Sequence, residues 1–225
     1  MRELFPFRHQ RRVYCAGPLF NEAERREMVL IADALRLADF DPFVPHADGM
    51  EFAQLEPCLV GRGCEPSAAG QVLHQAIFAL DVYQVMAGCA SLVLNMNGRV
   101  PDEGAVAEAA MAWTLGKPIV IFKADARSKI AGRDNPLIVG QTDFETVEKI
   151  EWLPERLLAR QAEIAFDTDH CVPCPRHLQR TLSAGERLWD RLQDFGGARP
   201  SEPLVDLILE LFEPSLAPSP PAEVA

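Results

Sequence analysis

Two largely apolar runs, Ala90–Met96 and Pro118–Phe122, constrain the fold more than any other part of this chain. Each has the length and flanking turn residues of a strand buried on both faces. Between them, Ala109 to Leu115 is an uncharged stretch of strong helix formers that stops at Gly116. Strand, loop, helix and strand in that order form the unit of a parallel α/β sheet. In open sheets of this kind ligands sit beyond the carboxyl ends of the strands, where Asp102 falls.

Glu108 interrupts the apolar stripe of that helix, because Ala105, Ala112 and Leu115 stand at helical spacing from it. A lone carboxylate on such a stripe is costly to bury unless something pairs with it. Two readings stand: a partly exposed acid favoured by the dipole near a helix start, or a perturbed carboxylate in a functional site.

At 225 residues the chain can bury a substantial core, expected as one domain with an appendage. Its formal net charge of -11 argues against nonspecific binding to nucleic acid or to acidic membranes. No apolar run approaches the roughly 20 residues needed to span a bilayer. Met1 to Arg12 carries arginines without a following apolar core, so it does not read as a secretory signal, and a cytoplasmic location is expected. In that reducing compartment the cysteines read as free thiols, with Cys15 and Cys89 in strand-like surroundings. His170, Cys171, Cys174 and His177 could in principle hold zinc. The block is very short and no second Cys or His pair follows it, so no metal site is assigned.

Along the chain, Arg12 to Gly17 reads as a first strand, and Asn21 with Glu24 as a capping box opening a helix over Glu22 to Ala38. Phe40 to Val44 reads as an edge strand because of Pro42. Pro45 to Gly70 reads as an irregular loop, a lid or binding segment. Helix is expected over Gln71 to Ala87, with Asp81 at its middle, and again over Phe144 to Ala165 with a break near Pro154. Beyond Phe166 the character changes: a linker, an amphipathic helix over Arg176 to Phe195, a short apolar one over Pro203 to Phe212, and a Pro-, Ser- and Ala-rich tail expected to be disordered. The division expected is residues 1–166 as the α/β domain, 167–213 as a helical extension and 214–225 as tail.

Three motifs in order resemble the nucleoside 2-deoxyribosyltransferase family. Tyr14-Cys15-Ala16-Gly17-Pro18-Leu19-Phe20 is similar to the family's first-strand signature. Asp102-x-Gly104-x-x-x-Glu108 followed by Gly116-Lys117-Pro118 resembles its second, and Asn135-Pro136-Leu137-Ile138 its third. Asp81 matches in kind and approximate spacing, and the resemblance covers about residues 12 to 165. It implies a doubly wound, flavodoxin- or Rossmann-like α/β fold with a mostly parallel sheet of about five strands, flanked by helices and followed by a C-terminal helical extension. It implies transfer of 2-deoxyribose between nucleobases without a cofactor, through a covalent deoxyribosyl intermediate on Glu108. Tyr14 would hold the Glu108 carboxylate, and Asp81 would handle the proton of the leaving base. Asp102 and Asn135, the latter from a neighbouring subunit, would hold the sugar, with Gly17, Phe20 and Gly104 completing the substrate-binding set. The partners implied are a nucleoside, a free nucleobase and further copies of the chain in a homo-oligomer, with no nucleic acid and no membrane.

Each residue also has a plainer reading: Tyr14 as a core aromatic, Asp81 as an exposed helix acid, Asp102 as a helix cap, Asn135 as a turn residue. Ala105 and the Ala109-Ala110 pair depart from the family pattern, as does Cys89. A nucleoside or deoxynucleotide N-hydrolase of the same superfamily is the alternative, and a noncatalytic nucleoside-binding module a second. Pro18, which lacks an amide donor, and the apolar Leu19 and Phe20 favour a nucleoside over a nucleotide.

Overall fold

The computed structural model describes residues 3–4, 11–98, 100–125, 133–164, 172–194 and 200–212. Among these, the strands in chain order are β1 (Glu3–Leu4), β2 (Arg12–Ala16), β3 (Asp41–Phe43), β4 (Ser91–Asn95), β5 (Ile119–Phe122) and β6 (Val172–Pro173). The middle four form one parallel sheet in the order β3-β2-β4-β5, while β1 and β6 pair antiparallel as a separate short ribbon. Tyr14 lies opposite Phe43 on one side and Leu92 on the other. The order reverses between β2 and β4, and that switch point is where doubly wound sheets open a crevice for ligands.

Four strands replace the five expected. Beyond β5, among the described residues, pairing is a single parallel bridge, Phe122 with Val147, where Val147 exchanges backbone hydrogen bonds with Ile121 and Lys123. Asp143 and Phe144 adopt left-handed backbone conformations just before it, which turns the chain too abruptly to lay down a full strand.

The first helix, α1 (Glu22–Leu37), starts on the anticipated capping box, with Asn21 and Glu24 bonding each other's backbone amides. The expected loop from Pro45 to Gly70 is instead largely helical: α2 (Pro45–Asp48), α3 (Phe52–Gly61) and the start of α4 (Pro66–Tyr83). Prolines read as loop markers are the reason for the difference. Pro45 and Pro66 occupy first-turn positions, where the missing N–H is not needed. Pro57 stands inside α3, a helix that buries Leu55 and Leu59. A single π-helical turn, Gln84–Gly88, extends α4. Helix α5 (Glu103–Thr114) is followed by α6 (Pro136–Val139) and α7 (Leu153–Ile164). Pro154 again starts a helix where a break was expected, and residues 144–149 are not helical. The chain ends in α8 (Arg176–Asp194) and α9 (Glu202–Phe212).

Alternation along the strands sorts the core into two faces. Val13, Cys15, Val93, Val120 and Phe122 pack under α1 and α7. Tyr14, Ala16, Leu92, Leu94, Ile119 and Ile121 pack under α5 and the π turn. Helices α8 and α9 close on α3 and α4, where Leu188, Leu192, Leu204 and Ile208 share a core with Leu55, Leu59 and Leu73. Residues 213–225 and the pair His170–Cys171 lie outside the described residues, and among the described ones no cluster of metal-ligating side chains occurs.

Candidate active site

Strand alternation turns Tyr14 to the α5 face, and α5 presents Glu108 one turn inside its start. The two meet across the switch point: the Tyr14 hydroxyl donates to Glu108 Oε1 at 2.7 Å. Tyr14 is fully buried, and burial, the carboxyl of Asp81 and then that of Glu108 push its hydroxyl well above the usual phenol range. It is therefore a permanent donor. Burial first, and then the field of Asp81, raises Glu108 to about 8, with Asp102 adding to the rise and the Tyr14 hydrogen bond opposing it. Asp81, near the end of α4, is raised by burial to about 7. The charge of Asp81 is thus one reason that Glu108 holds its proton, and the titrations of the two carboxyls are linked.

Asp102 stands at the N-cap of α5, its Oδ1 accepting the Ala105 amide at 2.6 Å. Capping and membership of the acid cluster are thus compatible, because the second carboxylate oxygen has no such duty. Gly104 lies in the first turn beside it, and a Cβ there would come within 3.2 Å of Asp102 Oδ1. Gly17 follows β2 in a place without room for a side chain: a Cβ there would stand 2.7 Å from Met28 Sδ and 2.8 Å from Asn95 Cβ. Phe20 is 78% exposed, and Asn135 caps α6 through the Leu137 amide at 3.0 Å. Tyr14, Asp81, Asp102 and Glu108 are thus brought together within one protomer, whereas Phe20 and Asn135 are not. A groove of about 450 Å3 between α4, α8 and α9, lined by Phe78, Arg180, Arg187 and Phe212, shares none of the four.

Two supports were not anticipated from the sequence. The buried Lys117 ammonium donates to the carbonyls of Val85, at 2.7 Å, and Cys89, so it staples the π turn that follows Asp81. Burial lowers Lys117 to about 8. Carbonyls freed by a π turn need such donors. On the opposite face Glu27 accepts from the side-chain amides of Asn95 (2.7 Å) and Asn97 (2.8 Å), and Asn97 Oδ1 accepts the Ala124 amide at 2.8 Å. This staple ties the loop after β4 to the loop after β5. Glu27 lies four residues before Ile31 on the stripe of α1 that faces the core, the same kind of signal that singled out Glu108.

A parallel, doubly wound sheet with acids gathered at its switch point places this chain among α/β proteins that handle a small ligand at the strand ends. The chain belongs to the nucleoside 2-deoxyribosyltransferase family, whose model matches residues 13–147. Membership supports a nucleoside 2-deoxyribosyltransferase-like function. Among solved structures, a conserved protein from Enterococcus faecalis V583 is 21% identical, covering 66% of this chain and 98% of its own, with a TM-score of 0.43. No curated protein matches.

Proposed function

We propose that the protein transfers 2-deoxyribose between nucleobases through a covalent ester on Glu108. The observation that carries this reading is the hydrogen bond from the buried Tyr14 to Glu108 within a partly buried group of acids. Tyr14 engages Oε1 and leaves Oε2 to attack C1′. As the C1′–O bond forms, the C1′–N bond breaks, its electron pair goes to the base nitrogen, and that nitrogen takes the proton held by Asp81. In the second half an incoming base attacks C1′, the ester bond breaks to restore the carboxylate, and the proton returns to Asp81. Asp102 and a neighbouring copy's Asn135 hold the sugar. The productive form of the acid pair is the singly protonated one with the proton on Asp81 and the charge on Glu108; because burial and the field of Asp81 raise Glu108 further than burial raises Asp81, that arrangement is the less populated of the two in the free protein.

Mass spectrometry of the protein soaked with a 2′-deoxynucleoside is expected to find a deoxyribosyl adduct on the peptide containing Glu108. Base release that is the same with and without an acceptor base would favour the hydrolase. A pH profile adds a second check: the rate should pass through a maximum near the values of the pair, between about 7 and 8. In Tyr14→Phe the bond that lowers Glu108 is gone, so the acidic limb should move to higher pH. Turnover at neutral pH should fall about tenfold to a hundredfold, the worth of a hydrogen bond to a charged group.

A nucleoside is favoured over a nucleotide by what occupies the start of α1. Helix N-termini attract phosphate through free amides. Here Glu24 Oε2 already accepts the Phe20 amide at 2.9 Å and the Asn21 amide at 3.3 Å, placing a negative charge where a 5′-phosphate would sit. Glu24→Gln keeps the cap and removes the charge. It should raise kcat/KM for a deoxynucleoside 5′-monophosphate, relative to the nucleoside, by about fivefold through relieved repulsion. An unchanged ratio would mean that the phosphate goes elsewhere.

A further inference from the structure

The family match ends at residue 147, yet a side chain from α8 packs against Phe43, whose ring backs Tyr14. Trp189 packs against three of the core clusters, including the one that contains Tyr14. Its ring meets Phe43 edge-on, with centroids 5.6 Å apart and planes at 77°. Phe43 in turn lies against the Tyr14 ring at 5.5 Å, tilted by 31°. The far end of Tyr14 is the hydroxyl that holds Glu108. The Arg12 guanidinium covers the Trp189 ring at 4.9 Å and is itself held by Asp41 at 2.7 Å.

The backing matters because of where Phe43 sits. It ends a three-residue edge strand that pairs on one side only, through β2. The Phe43 ring is buried and held between its neighbours, with Tyr14 on one side and the Trp189 edge on another, so removing Trp189 takes away one of the two aromatic contacts that set its position. The depth of α8 is set close by, at Gly185, which lies directly against the backbone of Ala79 in α4. Trp189 is therefore delivered to Phe43 by a helix that cannot rise away from α4 without losing its closest contact.

We propose that Trp189 is a positioning residue for the Tyr14–Glu108 pair, acting through Phe43. The segment beyond the family match is then part of the active-site wall and not a detached appendage. This rests on the proposed role of Glu108 for its kinetic consequences, but not for its structural one.

The test compares Trp189→Ala, Trp189→Phe and, as a control, Leu192→Ala, which removes buried volume from α8 away from the Phe43 stack. Two readings are taken. The protein has two tyrosines, so labelling their ring Cζ with carbon-13 gives a resonance for Tyr14 that reports its hydrogen bond without any substrate. In Trp189→Ala that resonance should move, kcat should fall about tenfold with KM little changed, and the acidic limb of the pH profile should shift to higher pH. Trp189→Phe should recover most of each. Leu192→Ala should lower the melting temperature while leaving the Tyr14 resonance and the profile in place. If Trp189→Ala does not fold, Trp189→Leu keeps the apolar volume without a ring edge and takes its place. A wild-type Tyr14 resonance and profile in the Ala or Leu variant overturns the proposal, as does the same change in Leu192→Ala. If wild type forms no sugar adduct, the transferase reading fails, and the Tyr14 resonance still decides the positioning role.

Discussion

Glu108→Gln is expected to abolish formation of the sugar adduct and to reduce turnover by at least about 10^4-fold, the scale seen when a nucleophile is removed from a preorganised site. Gln fits the same space and still accepts the Tyr14 hydroxyl, so nucleoside binding should survive. What it lacks is an anionic oxygen able to bond to C1′ as positive charge develops there. The same variant carries a stability signature. Glu108 is raised from 4.5 to about 8 and Asp81 from 3.8 to about 7 on folding. Between those limits the folded state binds more protons than the unfolded state, so stability is full below about pH 4 to 5 as far as these groups go, and falls as pH rises towards 8. Glu108→Gln removes about half of that dependence. The variant should therefore be more stable than wild type at pH 8 to 9 and lose that advantage near pH 5, in thermal melts at each pH. An inactive variant with this gain marks a group kept for chemistry against the interests of folding. A variant that keeps its rate would move the chemistry to another residue.

Gly185→Ala should have the largest effect on stability. In an exposed helix this change is favourable by about 1 kcal/mol, because glycine has more backbone freedom to lose. Here a Cβ would stand 2.1 Å from the Ala79 carbonyl oxygen and 2.4 Å from Tyr83 Cβ, and the first of these is backbone that cannot swing aside. Helix α8 would have to lift from α4, opening the core that holds Leu188 and Leu192. A net loss of about 3 kcal/mol follows from overpacking at such a crossing. For a chain of this size that is a fall in melting temperature of about 5–10 °C. A rise in melting temperature would show that propensity wins and that the two helices have room to spare.

The legible parts of the sequence were those in which a local pattern has one cheap solution. The apolar runs around Leu92 and Ile119 could only be buried strands. Asn21 and Glu24 could only begin a helix, and Pro42 did mark an edge. The segment from Pro45 to Gly70 was misread because proline breaks helices in their interior but begins them in the first turn, and composition does not say which applies. The fifth strand was expected from the fold class, but the left-handed turn at Asp143 and Phe144 limits that position to one bridge.

Sequence alone determined the parallel α/β layer and set Glu108 apart on its apolar stripe, since periodicity depends only on near neighbours along the chain, while the resemblance of its motifs to a family marked Tyr14, Asp81 and Asp102. It could not say that Tyr14 and Glu108 would be 2.7 Å apart, that the charge of Asp81 would raise Glu108, or that Lys117 would pin a π turn. Nor could it place Trp189 behind Phe43. Those are distances between residues far apart in the chain, and the energies that shift a carboxyl depend on how much water and charge surround it. Only the tertiary packing sets both.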